Sequence, residues 1–272
     1  MASQSESFEI ETGTAELVDE PDGSQLLLVN GVPSSHVTPG DPLRLEFPYM
    51  RWIAHYLDHY VNHYPGWDRP RLTHLGGGAC SLPRYFARAW PSSRNTVVEI
   101  DAQLARLARE LFDVPRAPAV KIRVGDARQE TERFKPATRD VIIRDVFSAA
   151  ATPQELTTVE FYRAAQASLG ARGVYLANCG TLAGPAEMRE ELAGMWEVWP
   201  HVGAIGDAAT LRGRTPGNVV LIGAPFPVEE DPQLSRALLA GAAPAQLMGE
   251  RWTRQQASVP RRDPAPGAPG TP

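Results

Sequence analysis

Lysine is nearly missing from this chain: of 27 basic residues, only Lys121 and Lys135 are not arginine. The arginines form no basic stripe, and the net charge is −5, so a nucleic-acid partner is not expected. Cysteine is equally scarce. Cys80 and Cys179 are too few for a disulfide framework, and reduced thiols are the expectation. No apolar run approaches the roughly 18 residues of a membrane span, so no membrane association is expected either. The opening MASQSESFEIETG is polar and acidic and lacks the charged-then-apolar pattern of a leader, which makes the cytoplasm the expected compartment. No internal repeat is present.

What is there suits a globular protein. Hydrophobic residues make up 43% and charged residues 22% of 272, enough for one large domain or a small one joined to a medium one. TAELVD (14–19) and QLLLV (25–29) alternate like strands around the turn-former Pro-Asp-Gly, and Asn30-Gly31 adds a hairpin signal. Residues 48–64 have a leading proline and no later breaker, and predict a helix that Pro65-Gly66 stops.

From Arg71 the pattern turns to strand–helix alternation. Strands are expected at 72–75, 96–100, 120–124, from 140, at 173–179 and at 218–224; helices at 81–90, 102–112, 153–170 and 187–199. Such alternation predicts an α/β fold, a doubly wound, Rossmann-like, mostly parallel sheet with an antiparallel edge strand, preceded by a small N-terminal antiparallel sheet. Residues 1–68 form the first unit and 69–228 the second. Residues 229–272 are expected to hold a short helix capped by Asp231 and a disordered tail rich in proline and glycine.

Gly76, Gly77 and Gly78 follow a strand and precede a helix, where a doubly wound sheet lets a ligand approach its backbone. A tight turn with no ligand is the plainer reading, but two acids accompany the loop. Glu99 ends the next strand about twenty residues on, where this fold places an acid against ribose hydroxyls. The strand at 120–124 runs into Gly125-Asp126-Ala127; Asp126 alone would read as a turn residue. No Gly-Lys-Ser/Thr follows the glycines, which excludes a P-loop. A dinucleotide loop fits only in part, because Ser81 stands where its third glycine belongs. Gly76, Gly77, Gly78, Glu99, Asp126 and Ala127 suit an adenosyl sulfonium better: ribose on Glu99, adenine amine on Asp126, side chain across the glycines.

On these residues the chain resembles the spermidine synthase family, the aminopropyltransferases. GGGAC, VEID, GDA and RDVIIRD stand where the family has Gly-Gly-Gly-Asp-Gly, Val-Glu-Ile-Asp, Gly-Asp, and Tyr-Asp-Val-Ile with a catalytic Asp. LTTVEFYRAAQASLGARGVY and LLLVNGVPSSH extend the likeness over about residues 14–224. The resemblance implies an enzyme that moves an aminopropyl group from decarboxylated S-adenosylmethionine to a small-molecule amine acceptor, without a metal and as a homodimer. It also implies that Asp145 orients the acceptor and takes its proton. The departures are Ala79 for the acid after the glycines, Ser148 for a second catalytic-loop acid, Ser34 near a substrate-facing Gln, and Phe47-Pro48-Tyr49 for Tyr-His-Glu. Ala79 favours intact S-adenosylmethionine and methyl transfer; Ser148 favours a non-catalytic adenosyl-binding relative.

His55, His59 and His63 recur every fourth residue beside Tyr56, Tyr60 and Tyr64. HYLDH has the His spacing of a zinc helix, but Tyr56 replaces its Glu, and an aromatic packing face is the expectation. His74 is expected to be buried.

Overall fold

The computed structural model describes residues 5–147, 151–229 and 231–265. Four antiparallel strands open the chain: β1 (Ser5–Ile10), β2 (Gly13–Asp19), β3 (Gln25–Val29) and β4 (Val32–Val37). Asn30 and Gly31 both take positive φ, 52° and 76°, the turn a two-residue hairpin needs. The Asn30 amide also accepts from Thr14 N (2.9 Å) and donates to Thr12 O (3.0 Å), so one side chain ties two turns. β1 went unread in the sequence because SESFEI carries only two apolar residues.

Helix α1 (Pro48–His63) starts on its proline and buries Tyr49, Trp52, Ile53, Tyr56, Leu57 and Tyr60. Then come β5 (Arg71–Leu75), α2 (Ser81–Ala89), β6 (Arg94–Glu99), α3 (Ala102–Leu111), β7 (Val120–Val124), α4 (Ala127–Glu132) and β8 (Arg139–Arg144). The rest is α5 (Val159–Ser168), β9 (Leu169–Gly180), α6 (Ala186–Trp196), β10 (His201–Gly206), α7 (Ala208–Leu211), β11 (Asn218–Ala224), α8 (Pro232–Leu239), β12 (Gln246–Met248) and α9 (Glu250–Gln256).

The large sheet has the order β12-β10-β11-β9-β8-β5-β6-β7, parallel from β7 to β9. Alternate residues of β8 and β9 face opposite sides. Val141, Ile143, Val174 and Leu176 meet α1, α2 and α8, while Ile142, Tyr175 and Ala177 meet α5 and α6. The N-terminal sheet packs Leu17, Leu27 and Val37 into a third cluster with Val97, Leu104 and Leu107. The chain reverses its winding between β5 and β8, and the crevice beyond the carboxyl ends of such a pair is where open α/β sheets take ligands. No helix among the described residues is long and apolar enough to cross a membrane.

The expected antiparallel edge is present and is three strands wide, β11, β10 and β12, whereas three other expectations, a helix, a strand start and the chain end, need correction. β10 (HVGAIG) is poor in strand-favouring residues, yet Gly203 leaves the room that Val228 fills. The single helix expected over 153–170 breaks into a 3-10 turn at Gln154–Leu156 and then α5, with Thr158 Oγ1 accepting from Phe161 N at 3.2 Å. Threonine hydroxyls compete with the helix backbone, and here one restarts the helix as its cap. The strand expected from 173 starts at Leu169. The third concerns the chain end, where the first part of the supposedly disordered tail is held in place. Arg261 O accepts from Val159 N, Arg261 pairs with Glu190, Arg262 with Glu197 and Glu160, and Asp263 with Arg128. The rest of the tail, 266–272, lies outside the described residues.

Candidate active site

Glycine is required around the loop because other parts of the chain occupy the space a side chain would need. Gly76 sits at φ +92°, and a β-carbon there would stand 2.1 Å from the Asp145 carbonyl oxygen. A β-carbon on Gly77 would press on Glu99 Oε2 (2.9 Å), and one on Gly78, at φ +48°, on Ser35 Oγ (2.6 Å). The loop is thus the meeting point of the ends of β6 and β8 and of β4 from the small sheet. Ser35 Oγ also accepts from Ala79 N at 3.0 Å, and Ala79 is fully buried beneath it. Ser34 is brought against Gly78 as well, its hydroxyl 3.1 Å from the β-carbon position.

Glu99 is nearly buried at the end of β6. Its Oε2 accepts from Gly77 N (2.8 Å) and its Oε1 from Asp101 N (3.1 Å). Burial raises its pKa, and the backbone N–H groups oppose that shift. Gly78 adds a third backbone N–H against the carboxylate; with about four acceptor sites in all, it keeps room for a ribose hydroxyl. Asp101 next door is structural: it caps α3 through Gln103 N and Leu104 N and accepts from Thr12 N and Oγ1 of the small sheet.

Asp126 ends the following strand and caps α4, its Oδ1 accepting from Gln129 N at 2.8 Å. The plainer turn reading of this residue therefore holds for one oxygen and leaves Oδ2 for a ligand. Ala127 turns its methyl into the core with Leu75 and Val98; only its backbone is left to meet a ligand.

Asp145 follows β8 directly, and its N–H donates to Leu75 O across to β5. Two neutral donors grip the carboxylate: Tyr49 Oη to Oδ2 (2.8 Å) and Asn178 Nδ2 to Oδ1 (2.9 Å). Asn178 Oδ1 accepts from Asn218 Nδ2 (2.9 Å), which fixes the amide with its NH₂ toward Asp145. Burial dominates and raises the Asp145 pKa, against the lowering by Asn178 and Tyr49. The adjacent Arg144 makes no ion pair with Asp145; its guanidinium bonds to Glu191 at 2.7 Å.

Sequence reading missed Tyr49, Asn178 and Ser35. Tyr49 lies in the triplet noted only as a departure, and contact with Asp145 depends on how α1 crosses the sheet. Asn178 offered a signal, a polar residue inside the apolar run of β9, whose usual explanation is a buried hydrogen-bond network. Ser148 lies outside the described residues. Both cysteines are buried thiols, and burial pushes Cys80 up to about 12, far from thiolate chemistry. His74 is buried against Asn95 and held down to about 4.

No family model matches the chain. Over 98% of its length and 99% of the other's, it superimposes on the crystal structure of a probable spermidine synthase from Corynebacterium glutamicum, with TM-score 0.92 and 46% identity. A spermidine synthase crystallised with the transition-state analogue AdoDATO matches at TM-score 0.62 and 17% identity over 94% of this chain and 85% of that one, a likeness of fold. The polyamine aminopropyltransferase of Vibrio vulnificus is 32% identical over 137 residues, 50% of this chain. That stretch spans 44% of the relative, so the chain matches less than half the length of its curated relatives.

Proposed function

We propose a function from one premise: the chain belongs to the spermidine synthase family of aminopropyltransferases. The proposed reaction is transfer of an aminopropyl group from decarboxylated S-adenosylmethionine to an amine of the polyamine type. The observation that carries it is the pairing of Asp145, gripped by Tyr49 and Asn178, with a glycine loop whose N–H already rests on Glu99. The donor's sulfonium supplies an activated carbon, so the protein has to bind, orient and accept a proton. Glu99 offers its remaining acceptor capacity to the ribose and Asp126 its Oδ2 to the adenine amine. Asp145 accepts a hydrogen bond from the incoming amine, aims the nitrogen lone pair at the carbon, and takes the proton released as the new C–N bond replaces the C–S bond. Burial suits it to that task, because a raised pKa makes the carboxylate a better base.

Ala79 supports a second reading, methyl transfer from intact S-adenosylmethionine. An acid at that position would repel the methionyl carboxylate by about 4 kcal/mol at 4 Å and an effective dielectric of 20. The buried methyl of Ala79 imposes no such penalty. Thermal-shift titrations separate the readings, since a ligand at 100 times its Kd adds about 2.7 kcal/mol. The first expects shifts with decarboxylated S-adenosylmethionine and methylthioadenosine, and turnover of the former with a diamine. The second expects shifts with S-adenosylmethionine and S-adenosylhomocysteine, and no turnover of the decarboxylated donor with a diamine. A shift with NAD alone overturns both.

Tyr49→Phe is expected to leave kcat nearly unchanged at alkaline pH and to move its acid limb upward. The lost hydroxyl favoured the ionised form of Asp145. A hydrogen bond to a charged group is worth about 1.5–3 kcal/mol, or roughly one to two pH units. A pH–rate profile with an unmoved acid limb would detach Asp145 from the proton transfer.

A further inference from the structure

The histidine repeat of α1 has a use that the proposed transfer reaction does not absorb. Its last turns face the start of α8, where His59 Nδ1 lies 3.7 Å from Asp231 Oδ1 and His63 Nε2 lies 3.8 Å from Asp231 Oδ2. One ligand atom from each of the three residues falls within 4.8 Å of the others. Both His–Asp separations are too long for hydrogen bonds. The two imidazoles are packed against each other with centroids 3.9 Å apart, so charging both to pair with a single carboxylate would set like charges in contact.

We propose that His59, His63 and Asp231 form a zinc site that clips α8 to α1, completed by water. Zinc bonds to imidazole nitrogen and carboxylate oxygen at about 2.0–2.2 Å, which puts tetrahedral ligand atoms about 3.3–3.5 Å apart. The two His–Asp separations exceed that by a few tenths of an ångström, and the three ligand atoms, within 4.8 Å of one another, close to it by side-chain rotations that move them about an ångström.

The hydrogen bonds around the cluster prepare it. His63 Nδ1 donates to the His59 carbonyl oxygen at 3.1 Å, which leaves the Nε2 lone pair aimed at Asp231. A ring N–H tied to a backbone carbonyl is the usual outer support of a metal-bound histidine. Asp231 Oδ1 already caps α8 through Gln233 N (2.7 Å) and Leu234 N (3.0 Å), so Oδ2 is the oxygen left for the metal and the carboxylate cannot swing away. Two imidazoles and a carboxylate are a donor set that zinc takes readily. The side chains of His63 and Asp231 are 47% and 27% exposed, so an ion reaches them from solvent without opening the core.

The test uses tag-free full-length protein stripped with chelator and titrated with zinc chloride, read by calorimetry and by melting temperature. The expected result is one zinc per chain and a rise in melting temperature. His63→Ala and Asp231→Asn are expected to weaken binding by about 10–100-fold and abolish the rise. Asp231→Asn keeps a good helix cap, so its loss of zinc would not reflect a frayed α8. His55→Ala, outside the cluster, is expected to bind as the parent does. Absence of saturable binding, or equal affinity in His63→Ala, overturns the site. Neither readout depends on turnover, so the site and the transfer reaction stand or fall separately.

Discussion

Asp145→Asn lowers turnover by about 10²–10⁴-fold, the usual worth of a positioned acid–base group, while donor affinity stays within a factor of a few. The amide fits the same space. Its oxygen can accept from Asn178, and its NH₂ can donate to the Tyr49 oxygen once that hydroxyl turns away, so the surrounding hydrogen bonds survive. On the proposed reaction, what disappears is the negative charge that aims the amine and the site that receives its proton. Stability should hold or rise. The folded-state pKa of Asp145 is above that of a free carboxyl, so folding penalises ionisation; the stability cost builds as pH climbs from the free value to the raised one and is full above it. At neutral pH the uncharged amide escapes it. Steady-state kinetics with donor titration checks the first half and thermal melting the second. Unchanged turnover would remove Asp145 from the reaction; a collapse of donor affinity would move it into the donor pocket.

Glu191→Leu costs about 3–5 kcal/mol of folding stability, the penalty for stranding a buried charge. Arg144 is completely buried, and Glu191 is its counter-ion through two contacts, at 2.7 and 3.0 Å. Tyr162 Oη donates to the same carboxylate at 2.7 Å. The guanidinium also donates to Leu156 O and Asn178 O, so one cation gathers the 3-10 turn, β9 and α6 behind the end of β8. No other described carboxylate forms an ion pair with it. The double variant Arg144→Met with Glu191→Leu should recover much of the loss, because exchanging a buried ion pair for apolar groups is often close to neutral. Urea unfolding of the two variants decides the matter, and a double variant as weak as the single would assign the cost to packing.

The parallel half of the sheet was legible because its signals are local. Strand ends marked by Glu99 and Gly125-Asp126, and helices opened by proline or a cap, state their own boundaries. The loop after β5 was legible as special, but its three glycines were read as room for a ligand. In the structure the Asp145 carbonyl, the Glu99 carboxylate and the Ser35 hydroxyl already fill much of that room. Those contacts join residues 22 to 69 positions apart, and no short window of sequence reports them. The same holds for Tyr49, which reaches Asp145 across 96 positions. The split of the 153–170 helix was within reach, since Thr157-Thr158 is a pair that favours caps over helix interiors.

The latch of Arg261, Arg262 and Asp263 bears on how the protein is handled. A purification handle fused after Pro272 begins several residues beyond these ion pairs and leaves them intact. A chain shortened before Arg261 takes the paired arginines from Glu160 and Glu190, while Glu197 keeps Arg163 and Arg128 keeps Glu132. Trimming that looks like cosmetic removal of a proline-rich end would therefore leave one carboxylate on α5 and one on α6 without the arginines that face them.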